Sequence, residues 1–222
     1  MFRKLFLISV VMFTFFPAMT QNLELGLMGG VASYNGDLNP AIPYHMSKPA
    51  FGIMGRYNKG TRWSYTVAVK TGSLTSNGQF ARVSSASVNG FSANFSDISV
   101  VAEFNFFDYF TGSQKDYMTS YIFGGLSYFG TGTNFSQSLG FNSLSIPFGF
   151  GFKYSLGKRI GLTAEWRMHK TFTDNLEGDL TWKTGETDSN NNDWFNFTGI
   201  GITYKFNLEK RQACNSFKDV AF

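Results

Sequence analysis

A single cysteine, Cys214, stands among 222 residues, so no disulfide within the chain can staple the fold. In an exported chain an odd cysteine points to a free thiol or to a bond with another chain. None follows the leader's cleavage region directly, which removes lipid attachment at a mature N-terminal cysteine. Histidine is scarce as well, with two copies. Neither His45 nor His169 lies in a motif that binds a metal or activates a nucleophile. Long apolar runs are missing beyond the first twenty residues, and mean hydropathy is −0.12, which excludes membrane-spanning helices there. Net charge is +4 and falls to +2 without Arg3 and Lys4. The basic residues are scattered, so nucleic acid is not an expected partner.

The start of the chain reads as an export signal. Arg3 and Lys4 precede an apolar run from Leu5 to Phe16, the length of a signal-peptide core. A bilayer-spanning helix needs roughly 20 such residues. Pro17, Ala18 and Thr20 supply a breaker and small residues, so residues 1–20 are expected to be a signal peptide with Gln21 as the mature N-terminus. An uncleaved N-terminal anchor is the alternative.

What the sequence does have is aromatic residues, at 18%, and 24 glycines. Both suit a membrane barrel, with aromatics at the two interfaces and glycines where strands curve. Residues 21–207 read as one domain of period-two segments. Short links at Asn58–Gly60 and Ser155–Arg159, and a middle one at Asp108–Met118, alternate with long links at Asn35–Lys48, Gly72–Asn94, Thr131–Asn142 and Thr173–Asp193. That alternation predicts an all-β fold, an eight-stranded antiparallel transmembrane β-barrel of outer-membrane type. Its long loops face outward and its short turns face the periplasm. Segments of about nine to twelve residues match a tilted membrane strand. In the fifth segment, Ser120–Gly130, aromatics occupy both phases and the register stays open. Pro147 in the sixth predicts a bulge or a weakened ladder position.

Charge placement separates the barrel from a soluble sandwich, whose apolar face meets a partner sheet. Arg56, Lys70, Glu103, Lys153, Glu165, Arg167 and Lys205 all take the phase opposite the apolar residues. Trp63, Tyr57, Phe106 and Tyr154 fall near the short-turn ends, as a girdle would. The seven charges are expected to face the interior, either as an ion pathway or as a plug of mutual salt bridges. Eight strands leave room only for side chains, and unpaired buried charge is costly, which favours the plug.

Three further features carry a functional and a plainer reading. His169 and His45 would have to serve a lipid-modifying enzyme, yet no Ser or acidic partner is assigned to either, and no catalytic residue is expected. Asp37, Asp174, Glu177 and Asp179 sit in long loops without the spacing of a calcium loop, and Asx-turn chemistry explains them. No metal or cofactor is expected. The tail, residues 208–222, carries Cys214 and Phe217. It is either a disordered terminus or a periplasmic docking segment, through an intermolecular disulfide at Cys214.

Several stretches resemble a known family. YNGDLNP at 34–40, AEFNFF at 102–107, YIFGG at 121–125, IPFGFGFK at 146–153 and NDWFNF at 192–197 are similar, in order, to the Bacteroidetes outer-membrane β-barrel family that includes PorG, a type IX secretion system component. The similarity runs to the CNSF tail at 214–217. It implies a non-enzymatic barrel in the outer membrane that meets a periplasmic ring lipoprotein and its partner. DNLEGDL at 174–180 departs from the family pattern, so no role is carried over to that loop. A general structural or adhesive barrel working through its outer loops is the alternative.

Overall fold

The computed structural model describes residues 22–35, 44, 46–76, 91–132, 135–141, 143–172 and 194–206. The leader at 1–20, His45, the acidic loop residues at 37 and 174–179, and the tail with Cys214 and Phe217 lie outside the described residues.

Eight strands follow one another around a closed barrel: β1 (Leu23–Asn35), β2 (Lys48–Lys59), β3 (Trp63–Ser76), β4 (Phe91–Asn105), β5 (Met118–Gly132), β6 (Ser143–Ser155), β7 (Ile160–Thr171) and β8 (Trp194–Lys205). Each pairs antiparallel with the next, and β8 returns to β1 in a register that sets Leu25 opposite Tyr204 and Asn35 opposite Trp194. Closure leaves no sheet edge with unpaired backbone groups.

The strands run to between 12 and 15 residues, longer than the nine to twelve expected. At a rise of about 3.3 Å per residue and a tilt of about 40°, about 13 residues reach roughly 33 Å along the axis, which covers an apolar band and both interfaces. The largest difference is at the link expected over Gly72–Asn94. There β3 and β4 stay paired out to Ser76 opposite Phe91. Leu74 and Phe95 turn inward and are buried. On the other phase Ser73 donates to Asn94 at 2.8 Å, and the Thr75 and Ser92 hydroxyls meet at 3.3 Å. Polar side chains on an otherwise regular hairpin had disguised it as a loop. Within the link expected at Thr131–Asn142, a single helical turn, α1 (Phe135–Ser138), packs against β4 and β5.

The alternation read from sequence holds on seven strands. Leu27 and Ile200 are 68% and 69% exposed on the outer wall, whereas Glu24, Lys70 and Lys205 point inward and are buried. Trp63, Phe104, Tyr117, Tyr154, Tyr204 and Phe206 form tilted or edge-on ring pairs at the short-link end. At the other end Tyr128 stacks on Phe141 and Phe148 meets Trp194 edge-on. An apolar outer wall between two aromatic belts is the surface of a membrane-spanning barrel.

The register of β5 is settled by its neighbour. Tyr121 and Phe123 turn inward, opposite Gly151 and Gly149 of β6. A Cβ on Gly151 would lie 2.6 Å from the Tyr121 ring, and one on Gly149 would lie 2.8 Å from the Phe123 ring. The bare backbone of β6 is where those rings rest. Ile122, Leu126 and Tyr128 then face outward.

Pro147 produces the weakened ladder and no bulge. The β5–β6 pairing breaks between Gly124–Phe148 and Ser127–Ser145 and resumes in the same register. Proline supplies no N–H for the missing rung, while on its other side Pro147 keeps its place opposite His169.

Gly151→Val should therefore destabilise the barrel by about 1–3 kcal/mol through overpacking. Gly124→Ala, where nothing lies within 4 Å, should be near neutral. Urea unfolding in detergent micelles, followed by tryptophan fluorescence, measures both. Equal effects would remove the glycine–aromatic account of the β5 register.

Candidate functional site

The charged residues converge in the barrel's interior. All seven predicted ones, Arg56, Lys70, Glu103, Lys153, Glu165, Arg167 and Lys205, are buried there, and they are joined by Glu24, Asp97 and His169. Glu24 and Asp97 obey the same alternation, so the inner phase of β1 and β4 already held the signal for them.

Nearest the short-link end lies a first ionic layer. Arg56 Nη1 stands 3.4 Å from Glu24 Oε2, and its Nε stands 3.0 Å from Glu103 Oε2, which Lys153 Nζ also meets at 2.6 Å. Thr66 donates to Glu103 at 2.5 Å, Asn58 donates to Glu24 at 2.9 Å, and Lys153 donates to Asn105 at 2.9 Å. Lys205 lies beside this layer, its Nζ 3.3 Å from the centre of the Phe110 ring. Strand register sets Lys205 opposite Glu24.

A second layer sits deeper. Glu165 Oε1 is bound by Arg167 Nε at 2.7 Å and approached by Lys70 Nζ at 3.9 Å, and Glu165 Oε2 accepts from Tyr121 at 3.2 Å. Arg167 also donates to Ser99 at 2.9 Å and lies over the Phe123 ring. Among the described residues the lumen holds five Lys and Arg side chains against four carboxyl groups. Such near-balance is what a space too narrow for bulk water requires.

Beyond the ions the lumen turns apolar. Phe95, Phe129, Phe195 and Phe197 pack with Met28, Met54 and Leu74, whereas α1 lies on the outer side of β4 and β5, its Ser138 hydroxyl 3.0 Å from that of the outward-phase Ser96. The opposite mouth is closed by the middle link, residues 106–117, which the sequence marks as a link of intermediate length at Asp108–Met118. Tyr109 and Thr111 are buried. Thr111 donates to Glu24 at 2.5 Å, Gly112 N–H donates to Ser155 at 2.8 Å, and Thr61 and Arg62 donate to Asp108 at 2.7 and 2.8 Å. Gly112 adopts φ +96°, and a Cβ there would lie 2.5 Å from the Lys158 carbonyl oxygen, so only glycine lets this link cross against the β6–β7 turn. Burial, together with the Glu24 carboxylate, pushes the Tyr109 phenol up to about 12.

His169, to which sequence assigned no partner, is surrounded by them. Its Nδ1 lies 3.2 Å from Ser145 Oγ, 3.4 Å from Ser127 Oγ and 3.8 Å from Asp97 Oδ1, while its ring stacks on Phe195 at 4.2 Å. A nucleophilic triad needs the serine and the carboxylate on opposite ring nitrogens. Here both approach Nδ1, and the imidazole is sealed behind an aromatic face. The arrangement is not that of a triad. Sequence alone had no means of joining Asp97, Ser127, Ser145 and His169, because they come from four strands.

A family model described as a domain of unknown function, DUF6089, matches residues 3–216. No curated protein is significantly similar to this chain in sequence. Among solved structures, Neisserial surface protein A (NspA) is 12% identical, with 84% of this chain and 98% of that one covered and a TM-score of 0.53. The attachment invasion locus protein Ail of Yersinia pestis is 13% identical over 84% of this chain and 99% of that one, with a TM-score of 0.47. The NspA likeness establishes a shared barrel fold.

Two outcomes test the closed lumen. Glu103→Gln, which strips Lys153 of its carboxylate and Arg56 of one of two, should destabilise the barrel by about 3–5 kcal/mol, and adding Lys153→Met should recover part of that loss. Unfolding titrations in micelles read both, and an additive double variant would contradict the pairing. For Tyr109, a phenol held above its ordinary value of 10 favours the folded state fully below pH 10 and loses that contribution as pH climbs toward about 12. The difference in phenolate absorbance between the native protein and Tyr109→Phe should show one tyrosine titrating near 12. A midpoint near 10 would mean that the link does not close the mouth.

Proposed function

The chain belongs to the family described as the domain of unknown function DUF6089, and on that premise we propose that it is a non-enzymatic, non-conducting barrel of a bacterial outer membrane. Its work is to anchor an envelope assembly. Following the resemblance of its motifs, that assembly is the type IX secretion system, met through the periplasmic turns and the tail at 208–222. The partners would be a periplasmic ring lipoprotein and the protein that accompanies it.

The observation that carries this reading is the filled lumen. Among the described residues two ionic layers, a phenylalanine cluster and an inward-folded link fill the interior, which speaks against transport of solute. The Nδ1-sided contacts of His169 speak against hydrolytic chemistry. With the interior given over to structure, the surfaces left to work are the two ends and the outer wall. The short-link end is firmly built. Hydrogen bonds from Thr61, Arg62 and Gly112 tie its three links into one platform, which suits a fixed attachment point.

The test is deletion of the gene in its source bacterium, with type IX cargo measured in the medium. Export should be lost in the deletion strain, be restored by the full chain, and stay lost with a chain ending at residue 207. Normal export in the deletion strain would overturn the secretion role. Normal export with impaired surface attachment would favour the adhesive alternative acting through the long loops.

A further inference from the structure

The outer wall is unevenly covered. Gly29 of β1 and Gly55 of β2 both take the outward phase, where neighbouring positions carry Leu25, Leu27, Phe51 and Ile53. With no side chain at either position the wall is recessed. A groove of about 1030 Å³ runs across β8, β1, β2 and β3, lined by residues such as Ile200, Ile202, Leu27, Ile53 and Val69. At its short-link end the groove reaches Tyr204, whose hydroxyl accepts a hydrogen bond from Arg159 Nη1 at 2.8 Å. On the other side of the groove, exposed Lys59 ends β2 in the same outward phase as Ile53 and Gly55. Among the described residues this end of the barrel carries five basic side chains outside the lumen, Lys59, Arg62, Lys115, Lys158 and Arg159. The two described carboxylates outside the lumen, Asp108 and Asp116, both belong to the β4–β5 link, and Asp108 is already engaged by Thr61 and Arg62.

We propose that this groove is a binding site for an anionic phospholipid of the leaflet at the short-link face, one acyl chain lying in the recess and the phosphate held between Arg159 and Lys59. A hydrocarbon chain in the recess regains the dispersion contacts that the bare glycine backbone leaves open. The headgroup then falls at the level of the aromatic belt, where Arg159 is already oriented by Tyr204. Charge selects the occupant. Phosphatidylethanolamine would bring an ammonium toward two cations, whereas phosphatidylglycerol brings a net negative charge with no cation of its own. This site is independent of the secretion reading and requires only that the barrel sits in lipid.

The full-length protein, refolded into vesicles of phosphatidylethanolamine and phosphatidylglycerol and released into mild detergent, tests it by native mass spectrometry of retained lipid. The native protein should hold phosphatidylglycerol in preference to phosphatidylethanolamine. Arg159→Gln and Lys59→Gln should each weaken that retention about fivefold, the effect of one basic side chain at a charged lipid surface. Lys115→Gln, on the far link, should leave it unchanged. Gly29→Leu with Gly55→Leu should abolish retention of either lipid by filling the recess. The added Cβ atoms would sit at ordinary contact distances, 3.5 Å from the Phe51 ring and 3.4 Å from a Leu25 methyl carbon, so the barrel should still form, as heat-shifted gel migration will report. Equal retention of the two lipids by the native protein, or undiminished phosphatidylglycerol in either the charge or the groove variants, would overturn the proposal.

Discussion

Hydrocarbon offers no partner to a peptide N–H or C=O, and the rest of this structure answers to that fact. A sheet placed in such a medium must close on itself, as β8 does on β1, because an open edge would leave a row of unpaired groups in lipid. Closure divides every strand into two faces at once. The outward one must be apolar, and the charged residues have nowhere to go but the interior. An eight-stranded barrel is narrow, so the inward side chains fill it and must satisfy one another. Membrane solvent and strand number together account for why Arg56 sits between Glu24 and Glu103 and why Glu165 gathers both Arg167 and Lys70.

The same constraint explains how the lumen is layered. Ions held in pairs need a surround that excludes competing solvent, and both mouths provide it. On one side Phe95, Phe129, Phe195 and Phe197 form an apolar stopper. On the other, the link between β4 and β5 folds inward, so that a backbone segment and its Tyr109 and Thr111 side chains become part of the wall around Glu24. A barrel built this way is a rigid peg in a membrane, and its dealings with other molecules fall to its rims and its lipid-facing side.

Proximity by itself does not make chemistry, as the surroundings of His169 illustrate. Two serines and an aspartate lie within 4 Å of one imidazole nitrogen, a residue set that elsewhere performs acyl transfer. What is missing is direction. A histidine relays a proton only if the donor and the orienting carboxylate occupy different nitrogens, and here the opposite side of the ring is not available to a substrate. The cluster is better understood as inner-face polar residues of four strands sharing one cross-section of the barrel.

Much of this was legible in the sequence, because the alternation of a strand is local. Leu25 beside Glu24, or Val69 beside Lys70, declares an inside and an outside without reference to any other strand, and the charges of β2, β3, β6 and β7 were all placed inward on that ground. Where both phases look alike, local reading stops. Tyr121 and Phe123 point inward only because Gly151 and Gly149 across the ladder leave room for their rings, and that fact belongs to β6. The polar hairpin of Gly72–Ser76 and Phe91–Asn94 concealed its pairing for a similar reason, since nothing in a run of serines and asparagines states whether a partner strand lies alongside. The choice of ion partners was beyond sequence altogether. Arg56 and Glu103 meet across the lumen from β2 and β4 at a height set by strand tilt and register, and Thr111 reaches Glu24 only after a link has folded back into the mouth. Which face each side chain takes is a property of neighbours along the chain; which group it meets there is decided by the closure of the whole sheet.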